Sequence, residues 1–78
     1  MNFKEELIKN IDQIHTTKLG LIRIKKNINI DNLEYLKELI LNSKVIKKGK
    51  NYYAQKDSII ITINSYSYTI ITAHKGEK

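Results

Sequence analysis

The chain has 78 residues, one small domain near the lower size limit for a protein that folds on its own hydrophobic core. It carries a net charge of +6 and no cysteine, which excludes a disulfide framework and a thiolate metal site. A core this small leaves no room for a large internal cofactor, and none is expected.

The first predicted element is an amphipathic helix over about 3–14. Phe3, Leu7, Ile8, Ile11 and Ile14 recur at helical spacing, and Lys4, Glu5, Lys9, Asp12 and Gln13 take the other side. His15-Thr16-Thr17 interrupts the pattern. Thr16 or Thr17 is a good N-cap for a second helix over about 18–27, burying some of Leu19, Leu21, Ile22 and Ile24. Gly20 lies in its first turn, where the simplest reason for a glycine is a close approach between helices.

Asp31 is expected to open a third helix, with Glu34 at capping-box spacing. Leu33, Leu36, Leu39 and Ile40 form its buried stripe, which ends near Asn42-Ser43. From there the period changes to two. A strand begins at Val45-Ile46, followed by a turn at Gly49-Lys50-Asn51 and a second strand carrying Tyr52 and Tyr53. Asp57-Ser58 turns into a third strand, Ile59 to Asn64, and Asn64-Ser65-Tyr66 turns into a fourth, Ser67 to His74. Connections this short imply antiparallel neighbours. The fold class is therefore α+β: three short N-terminal helices, about 3–42, packed on one face of a four-stranded antiparallel meander, about 44–74.

Ile59, Ile61 and Ile63 are the expected inner positions of the third strand. Ile71 and Ala73, or else Ile70, supply the fourth. Strict alternation puts Tyr68, Thr72 and His74 on one sheet face, beside Thr62 and one tyrosine of the second strand.

Charge is uneven. Residues 1–43 carry seven basic and six acidic side chains, and residues 44–78 carry seven and two. A basic C-terminal half favours polyanions, chiefly nucleic acid. The chain also holds 15 Ile, 13 Lys and 8 Asn, residues with AT-rich codons, so base composition competes as a source of the lysines. Lys4, Glu5 and Glu6 fall where the apolar run of a signal peptide would begin, so a cytoplasmic protein without membrane association is expected.

Metal-independent RNA cleavage needs a base for the ribose 2′-OH, an acid for the leaving 5′-oxygen and cations for the phosphorane. Histidine suits the first two roles because its ordinary pKa, about 6.5, lies near neutrality. His15 and His74 are the candidate catalytic pair, if they converge over one phosphate. Arg23 and Lys50 are candidate phosphate clamps, and Tyr68 and Thr72 candidate nucleotide contacts. Each has a plainer reading. A helix-end histidine often serves the helix dipole, a terminal one is often simply exposed, Arg23 has Asp12 or Glu38 as possible partners, and tyrosine is a natural strand residue. Two histidines without a nearby carboxylate make no metal site, and none is expected.

Two blocks, His15-Thr16-Thr17-Lys18-Leu19-Gly20-Leu21-Ile22-Arg23-Ile24 and Asn64-Ser65-Tyr66-Ser67-Tyr68-Thr69-Ile70-Ile71-Thr72-Ala73-His74-Lys75, with Gly49-Lys50-Asn51-Tyr52-Tyr53 between them, carry a resemblance. The chain resembles a small bacterial family known as domain of unknown function thirty-seven eighty-one. More faintly, short helices before a four-stranded sheet ending in Thr72-Ala73-His74 are similar to the barnase, EndoU and RelE-type ribonucleases. Many of those are toxins that cleave RNA without metal from one sheet face. The glutamate or arginine usual in the barnase branch has no counterpart on these strands.

The expectation is a small basic RNA-directed protein and, if an enzyme, a metal-independent endoribonuclease of toxin type. The rival is a non-catalytic binding module or small inhibitor from a mobile element. It would act on a protein partner or form a homodimer through the edge of the last strand, which is apolar and proline-free.

Overall fold

The computed structural model of the protein describes residues 3–76. Three helices precede four strands: α1 (Phe3–Lys9), a 3-10 turn (Ile11–Gln13), α2 (Lys18–Ile28), α3 (Leu33–Leu41), β1 (Lys44–Lys48), β2 (Asn51–Lys56), β3 (Ile59–Asn64) and β4 (Ile70–Lys75). The strands form one antiparallel sheet in chain order, an α+β architecture.

The first helix stops earlier than its periodicity suggests. Asn10 donates from Nδ2 to the Glu6 carbonyl at 3.0 Å, so its side chain competes with the backbone for a helical acceptor. The chain tightens into the 3-10 turn and leaves it extended at Ile14 (ψ 131°). Ile14 still reaches the core, and the residue after it is delivered to the start of β4.

Thr17 caps α2, accepting from the Gly20 N–H at 2.9 Å, and Asn29 closes it in the left-handed region (φ 62°). Ile24 and Ile28 are buried and Leu21 half-buried. Leu19 and Ile22, two of the expected core candidates, are instead 69% and 58% exposed, because only one stripe of the helix meets the sheet. Gly20 is not a helix–helix contact. A Cβ there would lie 2.5 Å from Thr16 Oγ1 and 3.1 Å from Thr17 Oγ1, with the Ile70 carbonyl oxygen at 3.8 Å. The cap of α3 is Asn32 rather than Asp31: Asn32 Oδ1 accepts from the Tyr35 N–H at 3.1 Å, while Asp31 pairs with Lys25 at 3.4 Å. Leu36, Leu39 and Ile40 are buried as the stripe requires.

β1 and β2 are joined by the two-residue turn Gly49-Lys50, where Gly49 has φ 64°, and β2 and β3 by Asp57-Ser58, where Asp57 has φ 55°. Register fixes the inner face. Val45 lies opposite Ala54 and Ala54 opposite Ile61, while Tyr52 lies opposite Ile63 and Ile61 opposite Ala73. These side chains pack under Leu7, Ile14, Ile24 and Leu36 from the helices.

Between Thr62/Ile63 and β4 the register slips. Thr62 pairs with Thr72 but Ile63 pairs with Ile70, leaving Ile71 as the extra residue of a bulge. Ile70 and Ala73 are therefore both buried and Ile71 is 45% exposed. The fourth strand begins at Ile70, not Ser67.

Candidate nucleic-acid interface

The helices cover one face of the sheet, and alternation assigns the other. Three rows cross it. Lys44, Gln55, Ile60 and His74 are successive register partners, as are Ile46, Tyr53, Thr62 and Thr72. Lys48, Asn51 and Asn64 form the third row. None of these positions is acidic. Lys44, Ile46, Lys48, Tyr53, Gln55 and Ile60 line a shallow depression of about 410 Å3. Ile46 is 55% exposed there, whereas Thr62, set between Tyr53 and Thr72, is only 7% exposed. The Asn51 amide Nδ2 lies 3.5 Å from the Tyr53 hydroxyl.

A fourth cluster extends the Lys48–Asn51–Asn64 row. His15 forms a parallel bridge with Thr69: its N–H donates to the Tyr68 carbonyl at 3.1 Å, and its carbonyl accepts from the Ile70 N–H at 2.7 Å. Ile14 and Ile70 turn inward, so His15 and Thr69, their neighbours in sequence, belong to the uncovered side. His15 Nε2 lies 3.1 Å from Thr69 Oγ1, and Thr69 Oγ1 lies 2.8 Å from Ser67 Oγ. His15 Nδ1 lies 2.8 Å from the Gln13 carbonyl. Asn64 Oδ1 accepts from the Tyr66 and Ser67 N–H groups, both at 2.9 Å, which fixes the turn that carries Ser67.

The residues nominated from sequence separate. Thr72 and His74 do share the uncovered face, and His74 is exposed opposite Ile60. Tyr68 does not join them. The extra residue Ile71 gives it the parity of Ile70 rather than that of Thr72, and its ring stacks on Tyr52 at 6.4 Å between centroids, against the core. The tyrosine of the uncovered face is Tyr53. Lys50 is exposed at the tip of the β1–β2 turn, where its carbonyl accepts from the Ser65 N–H at 2.9 Å. Arg23 is exposed on α2, off the sheet face, and makes no ion pair with another described residue. It precedes by one turn Asn27, which bonds the outer edge of β4.

His15 and His74 do not converge. A strand rises about 3.3 Å per residue, so the run from Thr69, beside His15, to His74 separates the two by about 13–16 Å even after shortening by the bulge. Each must come within hydrogen-bond reach of the proton it moves, so they cannot serve one phosphate as acid and base. Among the described residues, no three His, Asp or Glu side chains gather as a metal site.

The edge of β4 is also not the open template that sequence suggests. The His15 bridge takes its first residues, Thr16 Oγ1 donates to the Ile70 carbonyl at 3.2 Å, and Asn27 Nδ2 donates to the Ala73 carbonyl at 3.1 Å. The opposite edge, β1, carries Lys44, Lys47 and Lys48, the charges that discourage strand pairing. No helix among the described residues is long and apolar enough to cross a membrane.

Sequence comparison matches residues 8–74 to the family model described as "Protein of unknown function (DUF3781)". The match spans most of the chain, and the chain belongs to that family. Nothing among curated proteins or among solved structures matches it.

Proposed function

We propose that this DUF3781 domain is a small RNA-directed protein that takes up single-stranded RNA on its uncovered sheet face. The observation that carries the reading is the depression around Tyr53. An aromatic ring lies among Ile46 and Ile60, Lys44 and Lys48 line the same depression, and no carboxylate of a described residue lines it. Bases unstacked from a single strand pack on such rings, each stack worth about 1–3 kcal/mol, while lysines meet the phosphates. Gln55, Asn51 and Thr72 supply donors and acceptors for base edges. Cleavage by a His15–His74 pair is not part of the reading, given their separation.

Fluorescence anisotropy with labelled 8–12-nucleotide RNAs tests it. Wild type binds, affinity falls as salt rises from 50 to 200 mM, and Tyr53→Ala weakens binding by about tenfold or more. Two results would overturn the proposal: no affinity for any single-stranded RNA, or a Tyr53→Ala variant that binds as wild type does. A dimer on size exclusion, buried through Ile46 and without RNA affinity, would give the face to a second protein instead.

A further inference from the structure

The hydroxyl chain at the start of β4, on the same uncovered side as Tyr53, has a direction, and the direction has a use. A carbonyl only accepts, so the contact between His15 Nδ1 and the Gln13 oxygen, 2.8 Å, places the neutral ring's proton on Nδ1. His15 Nε2 then presents its lone pair, and Thr69 Oγ1 donates to it across 3.1 Å. With its proton committed, Thr69 Oγ1 accepts from Ser67 Oγ across 2.8 Å. The other acceptor near Ser67, Asn64 Oδ1 at 3.3 Å, already takes two backbone N–H groups at 2.9 Å. The chain therefore runs Ser67 to Thr69 to His15 to Gln13. It ends in an exposed serine oxygen whose proton points inward and whose lone pairs point to solvent. Linked hydrogen bonds polarise one another, so that terminal oxygen is a strengthened acceptor waiting for a donor.

Position says which donor. Asn64 faces Asn51 in register, and Asn51 lies against the Tyr53 hydroxyl. Thr69, whose Oγ1 holds Ser67, lies two strands across and two residues along from Tyr53, roughly 12 Å away. A strand stacked on Tyr53 and running past Asn64 brings a ribose there. We infer that the Ser67–Thr69–His15 chain accepts a hydrogen bond from the ribose 2′-hydroxyl, so that the face takes RNA in preference to single-stranded DNA. The inference rests on the sheet-face reading above and adds the sugar to it. DNA lacks the donor at that position.

The test compares oligo-rU, oligo-dU and 2′-O-methyl oligo-U of equal length, by anisotropy at one salt concentration. Wild type is expected to favour oligo-rU about three- to tenfold, the weight of one hydrogen bond, and to bind the 2′-O-methyl strand as weakly as oligo-dU. Ser67→Ala is expected to erase the preference by lowering oligo-rU affinity to that of oligo-dU. Thr69→Val, which keeps the strand shape, does the same. Equal wild-type affinity for oligo-rU and oligo-dU overturns the inference and leaves the sheet-face reading standing, as does a preference that survives Ser67→Ala. Binding of none of the three strands overturns both.

Discussion

The Tyr52 phenol donates to Glu6 Oε1 at 2.6 Å, tying the middle of the sheet to the first helix. The ring is buried against Tyr68 on the inner face, and its hydroxyl finds its partner on α1. Tyr52 thus belongs to the core, and strand alternation leaves Tyr53 to the other side.

Burial first, and the Glu6 carboxylate second, favour the neutral phenol, so folded Tyr52 keeps its proton well above the ordinary tyrosine value of about 10. A group raised in the folded state contributes its full share below the unfolded value and loses it as pH climbs past that point. Urea midpoints are expected to fall above pH 10, and to fall less steeply in Tyr52→Phe. The same variant loses about 1 kcal/mol at pH 7, the worth of one hydrogen bond. An identical alkaline slope in wild type and Tyr52→Phe would show that the contact is not made.

Gly20→Ala separates packing from propensity. In an exposed helix the change would gain about 1 kcal/mol. Here the new methyl meets Thr16 Oγ1 and Thr17 Oγ1, the hydroxyls that hold the Ile70 carbonyl and cap the helix. Thermal denaturation is expected to show a net loss of about 1–2 kcal/mol. A stabilised variant would mean that the first turn of α2 stands clear of those hydroxyls.

Lys44 and Lys48 flank the depression on β1. If each meets one phosphate, replacing either by alanine reduces the slope of log affinity against log salt by roughly one, whatever the RNA sequence. Lys37, which packs on α3 beside Glu34 and away from the sheet face, serves as the control and should leave the slope unchanged.

The two histidines act independently. Sites farther apart than about 7–10 Å with no shared partner add within about 0.3–0.5 kcal/mol. RNA affinities of His15→Ala, His74→Ala and the double variant are expected to show no coupling beyond that. A large coupling energy would bring the imidazoles together in the bound state and revive a shared phosphate.

Local chemistry written into neighbouring residues was legible in the chain. The stripe through Leu36, Leu39 and Ile40, the Thr17 cap and the turns at Gly49 and Asp57 each depend on contacts within a few positions, so periodicity and turn residues determined three helices and four antiparallel strands, and composition a basic C-terminal half. The make-up of the uncovered face was decided elsewhere. One bulged residue at Ile71 reversed the parity within the last strand, so that Tyr68 and Ile70 turn inward while Thr72 and His74 stay outside. A period of two carries no record of such a slip, because its cause is the fit of β4 against β3 and α2. The pairing of His15 with Thr69 spans 54 positions, and only the closed tertiary structure, which turns the chain at Asn10 and lays it beside β4, puts a helix-end histidine next to a hydroxyl chain rather than next to His74.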